Sequence, residues 1–192
     1  MFERISFANA HLAGSGFGGN GSTYSECNFT GADLSGSSGI QPTFRNCVFE
    51  ATNFTDCLLK HCIFVGCKFV GEVKSVIFGP ETGCVMRKCD FRCCCFVDCA
   101  FNNMRFESCE FSEDSILFAD WPRALREFEK QSEQCGSSDV LPACRKWLDV
   151  WRESLAFTPQ NIVDLADLKL HEGPKIAEEM FALFRCCTRL AS

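Results

Sequence analysis

A large apolar side chain recurs at every fifth residue through most of the first 118 residues of this chain. A period of five matches neither the 3.6-residue turn of an α-helix nor the two-residue alternation of a flat strand. The chain therefore has to turn once per repeat, and a period kept over so many units predicts a solenoid. The central residues are Phe2, Phe7, Leu12 and Phe17, then every fifth residue from Tyr24 to Phe69 except Gly39, and then every fifth residue from Met86 to Ile116.

A small residue, most often cysteine, stands two positions before most central residues. The chain has 16 Cys, and in a secreted protein so many would suggest a disulfide scaffold. Here several recur at intervals of five, which is a packing rhythm. The first residues include Glu3 and Arg4 rather than an apolar signal segment, and no later stretch reaches the roughly 18 apolar residues of a membrane span. We therefore expect reduced thiols in a cytoplasmic protein that does not contact a membrane.

Three segments share a pattern of a small residue, a polar residue, a central Leu or Phe and two further residues that are mostly polar or small. They are Cys-Asn-Phe-Thr-Gly at 27–31, Ala-Asp-Leu-Ser-Gly at 32–36 and Cys-Asp-Phe-Arg-Cys at 89–93. On these segments the chain resembles the pentapeptide-repeat family, and the resemblance covers about three fifths of its length. It implies a mainly β solenoid, a right-handed quadrilateral β-helix with four repeats per turn. In that fold the central residue and the small residue two positions earlier both point inward.

Four repeats per turn place every fourth repeat on the same face of the solenoid. One face then collects an inward Phe column beside an inward Cys column, which we predict to form the structural core. Coils about 4.8 Å apart would stack these rings, and the thiols would act as small hydrophobes. Disulfides are disfavoured, because they need Cβ atoms about 3.8 Å apart. The predicted core residues are Phe29, Phe49, Phe69, Phe91, Phe111, Cys27, Cys47, Cys67, Cys89 and Cys109.

The repeat is interrupted at three glycine-rich segments, residues 18–21, 35–42 and 79–83, which fall on or beside the fourth face. The phase slips by two residues at the first and the last of these, and Gly39 removes an inward side chain in the second. Loops on one side of a rigid scaffold often bind partners, so we predict contact loops here. Harmless sequence drift stays open as the alternative.

Residues 119–192 lack the five-residue rhythm and contain all three Trp. Apolar spacing predicts about four helices, the second with Asp139 as its N-cap and the third opening at Pro159 and carrying Ile162. A solenoid needs its open end covered, so we predict a β-helix over residues 1–118 and a helical cap and interaction module over 119–192. Four helices exceed what a cap requires. A homodimer through these helices and a second partner-specific surface both stay open.

The candidate catalytic and metal-binding residues do not converge. In the Cys-Cys-Cys run at 93–95, Cys94 would point inward and Cys93 and Cys95 outward, so the three thiols cannot surround a zinc ion. His61 precedes Cys62, but it would face solvent while that thiol faces the core. We therefore predict no catalytic residue, no metal and no cofactor. A redox role of exposed Cys93 and Cys95 stays open.

The chain has a formal net charge of −6, which disfavours direct nucleic-acid binding. We predict a non-catalytic protein that presents its solenoid and helical module to a protein partner, neutralising a toxin or shielding a target. The family resemblance implies an alternative, in which an acidic rod mimics duplex DNA and protects or inhibits DNA gyrase or topoisomerase IV. The third face would carry Asp33, Asp56 and Asp98 outward. The candidate contact residues are Asp33, Asp56, Asp98, Glu72, Glu81, Trp147 and Trp151.

Overall fold

The computed structural model describes residues 1–17, 21–79, 83–153 and 159–189. The chain divides into two compact units, Met1–Glu113 and Asp114–Ser192. The first is built of short strands and the second mainly of helices. Each has buried residues of its own and is described by itself.

The strands of the first unit are short, and most are centred on one large apolar residue of the five-residue rhythm. This length follows from the repeat, since a chain that turns every five residues leaves only two or three in extended conformation on most faces. The strands are β1 (Phe2–Glu3), β2 (Thr23–Ser25), β3 (Ser38–Ile40), β4 (Thr43–Arg45), β5 (Val48–Glu50), β6 (Leu58–Lys60), β7 (Ile63–Val65), β8 (Lys68–Lys74), β9 (Ile77–Phe78), β10 (Val85–Arg87), β11 (Asp90–Val97), β12 (Ala100–Phe101), β13 (Arg105–Glu107) and β14 (Glu110–Phe111).

These strands stack in parallel, coil upon coil, and form four faces. The first face is the sheet β1-β2-β4-β7-β10-β13, and the fourth face is the sheet β3-β6-β9-β12. The second face consists of β5, β14 and the first halves of the long strands β8 and β11. The third face is made by bridges from Asp33 to His11 and Asn53, and by the later halves of β8 and β11, where Glu72 pairs with Cys95. This arrangement confirms the predicted fold class, a β-solenoid of about five turns followed by helices.

The turns between faces lie at residues in the left-handed region of φ, two positions after a central residue. Glu26, Asn46 and His61 have φ of 53°, 52° and 54°. This conformation costs a non-glycine residue roughly 1–2 kcal/mol. The cost is offset because the corner amides take part in the coil-to-coil ladder, as when Asn46 N donates to the Val65 carbonyl at 2.8 Å.

The inward rings of neighbouring coils form two stacked columns. On the second face the ring centroids of Phe29 and Phe49 lie 5.0 Å apart, and those of Phe49 and Phe69 lie 4.9 Å apart. On the first face the Phe44 and Phe64 centroids are separated by 4.9 Å. The columns meet edge to face, with the Phe44 and Phe49 planes at 77°. Stacked and edge-to-face pairs are the arrangements that the ring quadrupole favours.

The small inward residues beside the rings make a repeated hydrogen bond. Cys47 Sγ donates to the carbonyl of Tyr24 at 3.5 Å, and Thr52 Oγ1 donates to that of Phe29 at 2.8 Å. In each case the acceptor is the central residue of the neighbouring face in the preceding coil. A compact side chain that can donate one proton suits this position, which explains why Cys, Ser and Thr recur there.

The structure buries most of the predicted core completely. Phe29, Phe49, Phe69, Phe91, Cys27, Cys47, Cys67 and Cys89 are at most 2% exposed, while Phe111 and Cys109 of the last coil are half-buried. All the cysteines of these columns are free thiols. The thiols therefore contribute packing and a weak hydrogen bond, not a covalent link.

The predicted loop at 35–42 is wrong, because residues 38–40 form strand β3 in regular register with β6. The space at Gly39 is not empty either. A Cβ placed on Gly39 would lie 3.0 Å from the Phe17 ring and 3.0 Å from the Pro42 ring. These two side chains fill the inward site that the glycine vacates, so the apparent defect is a packed position.

Within its described residues, 114–153 and 159–189, the second unit pairs two strands and packs four helices. Ile162 lies opposite Leu117 in an antiparallel strand pair, so the prediction of a helix carrying Ile162 is wrong. The helix begins after the strand, where Asp164 caps it by accepting from the Ala166 amide at 2.9 Å. Its elements are β15 (Ser115–Phe118), α1 (Trp121–Cys135), α2 (Leu141–Glu153), β16 (Asn161–Asp164), α3 (Leu165–Glu172) and α4 (Pro174–Arg189).

The core of the second unit is one aromatic cluster. Trp121, Phe128 and Phe184 are fully buried, and the Phe128 and Phe184 rings stack with centroids 3.8 Å apart. The prediction of Asp139 as the N-cap of α2 is wrong, because that helix begins two residues later. The Asp139 carboxylate accepts a hydrogen bond from Lys175 Nζ at 3.0 Å instead. Among the residues the structure describes, no helix is long and apolar enough to span a membrane.

Candidate interaction surfaces of the solenoid

The third face carries one acidic residue in each of four successive coils. These are Asp33, Asp56, Glu72 and Asp98, of which the last three are exposed. Asp56 and Asp98 occupy corners, with φ of 59° and 52°, whereas Glu72 pairs in register with a strand residue. Lys74, opposite Val97, adds one cation to this face. Asp33, Asp56, Glu72 and Asp98 therefore lie on one face, at alternating strand and corner positions, with one lysine among them.

The carboxylate of Asp33 is held by its neighbours. Its Oδ1 accepts from the Ser35 amide at 3.1 Å and from Asn53 Nδ2 at 2.9 Å. Hydrogen bonds from Ser35 foremost, and from Asn53, lower the pKa of Asp33 below its usual value. This carboxylate is therefore charged at neutral pH and fixed in orientation.

An aliphatic patch covers the first and fourth faces where they meet. On the fourth face Leu58 and Ile77 pair in register, and on the first face Ile63 pairs with Val85. Ile40, Ile63 and Ile77 are 52%, 39% and 43% exposed. Strands β3 and β6 lead within two residues into β4 and β7, so the two groups adjoin across one corner. We define the aliphatic patch as Ile40, Leu58, Ile63, Val65, Ile77 and Val85.

Sequence reasoning missed this patch, although the signal was present. The repeats Cys-Ile-Phe-Val-Gly at 62–66 and Cys-Leu-Leu-Lys-His at 57–61 place aliphatic residues where the pentapeptide pattern has polar ones. With the central residue inward, such residues have to point outward. Their departure from the pattern marks a surface, whereas the search for loops pointed elsewhere.

Cations pair in register with residues of the aliphatic patch. Arg45 lies opposite Val65, Lys60 opposite Ile40, and Arg105 opposite Val85. Arg45 is exposed and has no ion-pair partner among the described part of the chain. The patch is therefore bordered by positive charge.

The acidic residues of the first face are already engaged. Glu107 Oε2 accepts from Arg87 Nε at 2.6 Å, and Glu26 Oε2 accepts from Arg4 Nε at 3.0 Å. These hydrogen bonds lower the pKa of Glu107 and raise the pKa of Arg87. Neither of these two ion pairs includes Arg45.

The cysteine run of β11 alternates as predicted, with Cys93 exposed, Cys94 buried and Cys95 half-buried. The three thiols therefore do not converge. Elsewhere burial raises the pKa of the Cys57 thiol to about 11, which keeps it protonated at neutral pH. A redox role of Cys93 or Cys95 stays a prediction.

The two candidate tryptophans of the helical unit are half-buried and pack against its core. Trp147 Nε1 donates to Glu172 Oε1 at 2.8 Å, and the Trp151 ring lies 5.6 Å from the Trp121 ring, edge to face. Both side chains thus have a packing role, and their role in binding a partner stays a prediction. Glu81, with most of the 18–21 and 79–83 segments, lies outside the described residues.

A cavity of about 320 Å³ lies at the first coil of the solenoid. Phe2, Phe7, Leu12 and Tyr24 line it, with the hydroxyl of Ser37 among the polar atoms. Burial raises the pKa of Tyr24, so this phenol stays protonated at neutral pH. The lining is the end of the stacked ring columns and is explained by the core.

Comparison with known proteins adds two similar structures. No family model and no curated protein matches this chain. The chain is similar to two trypsin-treated variants of QnrB1, a plasmid-mediated fluoroquinolone resistance protein. The first has a TM-score of 0.32 and 13% identity, and the match covers 58% of this chain and 60% of that one. The second has a TM-score of 0.26 and 15% identity, and the match covers 58% and 70%. The chain thus spans less than two thirds of the first structure.

Three observations made on this chain itself identify its architecture. The five-residue period places a left-handed corner after most faces. The strands of successive coils pair in parallel and in register on the same faces. The central residue and the small residue two positions earlier are buried together through most of the solenoid. This chain folds as a β-helix of five-residue repeats followed by a C-terminal helical region.

Proposed function

We propose that this protein is a non-catalytic binding protein that presents the first and fourth faces of its solenoid to another protein. The observation that carries the proposal is the aliphatic patch. Single exposed apolar residues are ordinary on soluble proteins, but a contiguous group on a regular surface is typical of a protein interface. The patch lies on stacked coils whose rings and backbone bonds hold it in place, so little order has to be gained on binding.

The binding mode follows from the strand pairing. Strands β4, β6, β7 and β9 have a paired neighbour on each side, so none of them offers a free edge. A partner therefore docks through side chains on the face rather than by adding a strand.

Site-specific photo-crosslinking tests this proposal in the native host. A photoreactive residue replaces Ile63 on the first face, Val48 on the second, Asn53 on the third or Ile77 on the fourth. We expect Ile63 and Ile77 to give an adduct with the same protein and Val48 to give none. Equal labelling from all four positions, or no adduct from any, contradicts the proposal.

The acidic residues of the third face support a second candidate, the DNA mimicry that the family resemblance implies. Neighbouring coils rise by about 4.8 Å, so one carboxylate per coil places negative charge at closely spaced levels along the solenoid. Phosphates dominate the recognition of duplex DNA. A protein that binds DNA through cations can therefore bind a series of carboxylates in place of the DNA phosphates. An adduct from Asn53 alone, in the same crosslinking experiment, would favour this candidate.

Purified DNA gyrase gives the direct test of mimicry. Wild-type protein at micromolar concentration is expected to inhibit supercoiling or to protect the enzyme from a quinolone, and Asp56→Asn with Asp98→Asn to weaken that effect. Glu50→Gln, an exposed change on the second face, serves as the matched control. If wild type has no effect in either assay, this candidate is removed.

A further inference from the structure

We propose that the aliphatic patch and the cations along it bind an acidic amphipathic helix of the partner protein. The inference rests on the proposed function and names the chemistry of the partner. Three features of the surface indicate an acidic helix as the partner segment: the paired strand edges, the direction of the apolar columns and the sign of the neighbouring charge.

The apolar columns run from coil to coil, across the strands. Ile40 on β3 and Ile77 on β9 are separated by the single strand β6, so they lie about 10 Å apart along the solenoid, with Ile40 in register with Lys60 and Ile77 in register with Leu58. One apolar stripe of an α-helix, from residue i to i+7, spans about 10.5 Å. A helix laid along the corner between the first and fourth faces therefore matches the patch in length and direction.

An extended segment fits less well. Its affinity would come from main-chain hydrogen bonds to a sheet edge, and apart from Ile40 on the outer strand β3 the patch lies on inner strands whose edges are paired. A helix satisfies its own backbone and offers only side chains, which is what this surface can receive. The exposed isoleucines would then meet leucine-like residues of the helix face.

The charges specify the flanks of that helix. Arg45 and Arg105 stand at opposite ends of the first-face part of the patch, on β4 and β13, and Lys60 stands on the fourth face. The nearby acid Glu107 is hydrogen-bonded to Arg87 and also interacts with Arg105, so two cations share this one carboxylate. Carboxylates beside the apolar stripe of the helix would meet these cations, whereas lysines would be repelled.

Two designed peptides of about 18 residues test the inference, with capped ends and i,i+4 side-chain pairs that keep them helical. Both carry leucines at i, i+3, i+4 and i+7, and they differ only in having glutamates or lysines on the flanks. Fluorescence anisotropy with the full-length protein measures their affinities. We expect the acidic peptide to bind at least tenfold more tightly than the basic one, and to weaken as salt is raised. Equal affinities, or no binding of the acidic peptide at about 100 µM, overturn the inference.

Three variants locate the binding. Ile63→Asp with Ile77→Asp is expected to lower the affinity for the acidic peptide at least tenfold. Arg45→Glu with Lys60→Glu leaves the aliphatic patch intact and is expected to reverse the preference between the peptides. The control Val48→Asp adds one negative charge, where the double variant adds two, at a half-buried outward position of the second face, and it is expected to change affinity less than twofold. Circular dichroism verifies that each variant is folded, and a similar loss in the control would overturn the assignment to the patch.

The result separates this inference from the proposed function. If crosslinks from Ile63 and Ile77 reach one partner but the acidic peptide does not bind, the helix is wrong and the binding face stands. If sedimentation shows that the protein self-associates through these faces and excludes the peptide, the occupant is a second copy and the inference falls.

Discussion

The two units of this chain bury aromatic rings in different ways. In the solenoid each ring stacks on the equivalent ring one coil away, as Phe69 does between Phe49 and Phe91 at 4.9 and 4.8 Å. In the helical unit the rings come from distant helices and meet at one point, as Phe128 of α1 meets Phe184 of α4 at 3.8 Å. The first arrangement repeats one local interaction, whereas the second depends on a unique assembly.

This difference predicts how strongly a single substitution should change the stability of each unit. In a stacked array each coil contacts only its neighbours, so stability is a sum of similar terms and depends on position along the array. In a single cluster each ring supports the others, and losing one is felt by the entire unit. The same chemical change should therefore have graded effects in the solenoid and a uniform effect in the helical unit.

The largest expected effect comes from removing a ring. Phe69→Ala is expected to destabilise the solenoid by about 3–5 kcal/mol, because it opens a cavity between two stacked rings. Phe111→Ala, in the half-buried last coil, should cost about half as much. In the helical unit Phe184→Ala is expected to cost about 3–5 kcal/mol as well. Chemical denaturation followed by circular dichroism measures the free energy of unfolding of all three variants. Equal losses for Phe69→Ala and Phe111→Ala would contradict the graded effect expected along the solenoid.

The next effect concerns the junction of strand and helix in the second unit. Asp164 is 3% exposed; its Oδ2 accepts from Ser115 Oγ at 2.7 Å, and its Oδ1 caps α3. Asp164→Ala removes both interactions and leaves a buried hydroxyl with one partner fewer, so a loss of about 2–3 kcal/mol is expected. Asp167→Ala, in the first turn of the same helix, is the control. A loss below 1 kcal/mol for Asp164→Ala would show that the contact is dispensable.

Substitutions at Gly39 test whether the inward site there is empty, as the repeat pattern suggests, or already filled. Restoring the pattern with Gly39→Leu would be stabilising if the site were empty, but Phe17 and Pro42 already fill it. The added side chain is expected to cost about 1–3 kcal/mol through overpacking. Gly39→Ala should cost less, since only a Cβ at 3.0 Å has to be accommodated. The urea midpoint of each variant measures its stability relative to wild type. A higher midpoint for Gly39→Leu would contradict the packing described above.

The smallest effect is electrostatic and depends on pH. Arg92 Nη2 donates to Asp90 Oδ2 at 2.9 Å, and this hydrogen bonding lowers the pKa of Asp90 to about 2. Because the folded pKa lies below the unfolded value near 3.9, the contribution is present above about pH 4 and is lost as the pH falls toward 2. The pair is largely exposed, so about 0.5 kcal/mol is expected.

Asp90→Asn measures this contribution. The variant should be less stable than wild type at pH 7, and the difference should vanish near pH 2. A difference that persists unchanged at pH 2 would assign the effect to packing rather than to charge. Because Arg92 also bridges to Glu110 at 3.1 Å, the comparison reports on the charge ladder of the second face.

Much of the solenoid could be predicted because its contacts are periodic. A residue such as Phe49 packs against the residues one coil away, and the period alone places them, so burial and register follow from counting. The break at Gly39 could not be understood in this way, since the group that fills its place comes from Phe17 in another coil. The aliphatic patch was overlooked for a related reason: Leu58 and Ile77 become neighbours only when the coils are stacked.

In the helical unit the limits were different. Amphipathic spacing correctly indicated helices around Trp121, Leu141 and Pro174, but it assigned Ile162 to a helix. Ile162 and Val163 have a strand partner at 115–118, more than forty residues earlier, and no local pattern specifies that pairing. A short apolar run is ambiguous until its long-range partner is known.

The amino-acid sequence by itself determined the turn at every fifth residue, the inward rings and thiols, and the acidic third face, because each depends on local conformation repeated in register. The tertiary structure decided which outward side chains adjoin across a corner, what fills the space at Gly39 and how the C-terminal helices share one core. Those outcomes depend on which surfaces meet, and packing between segments that are distant in the chain is a property of the assembled coils and helices.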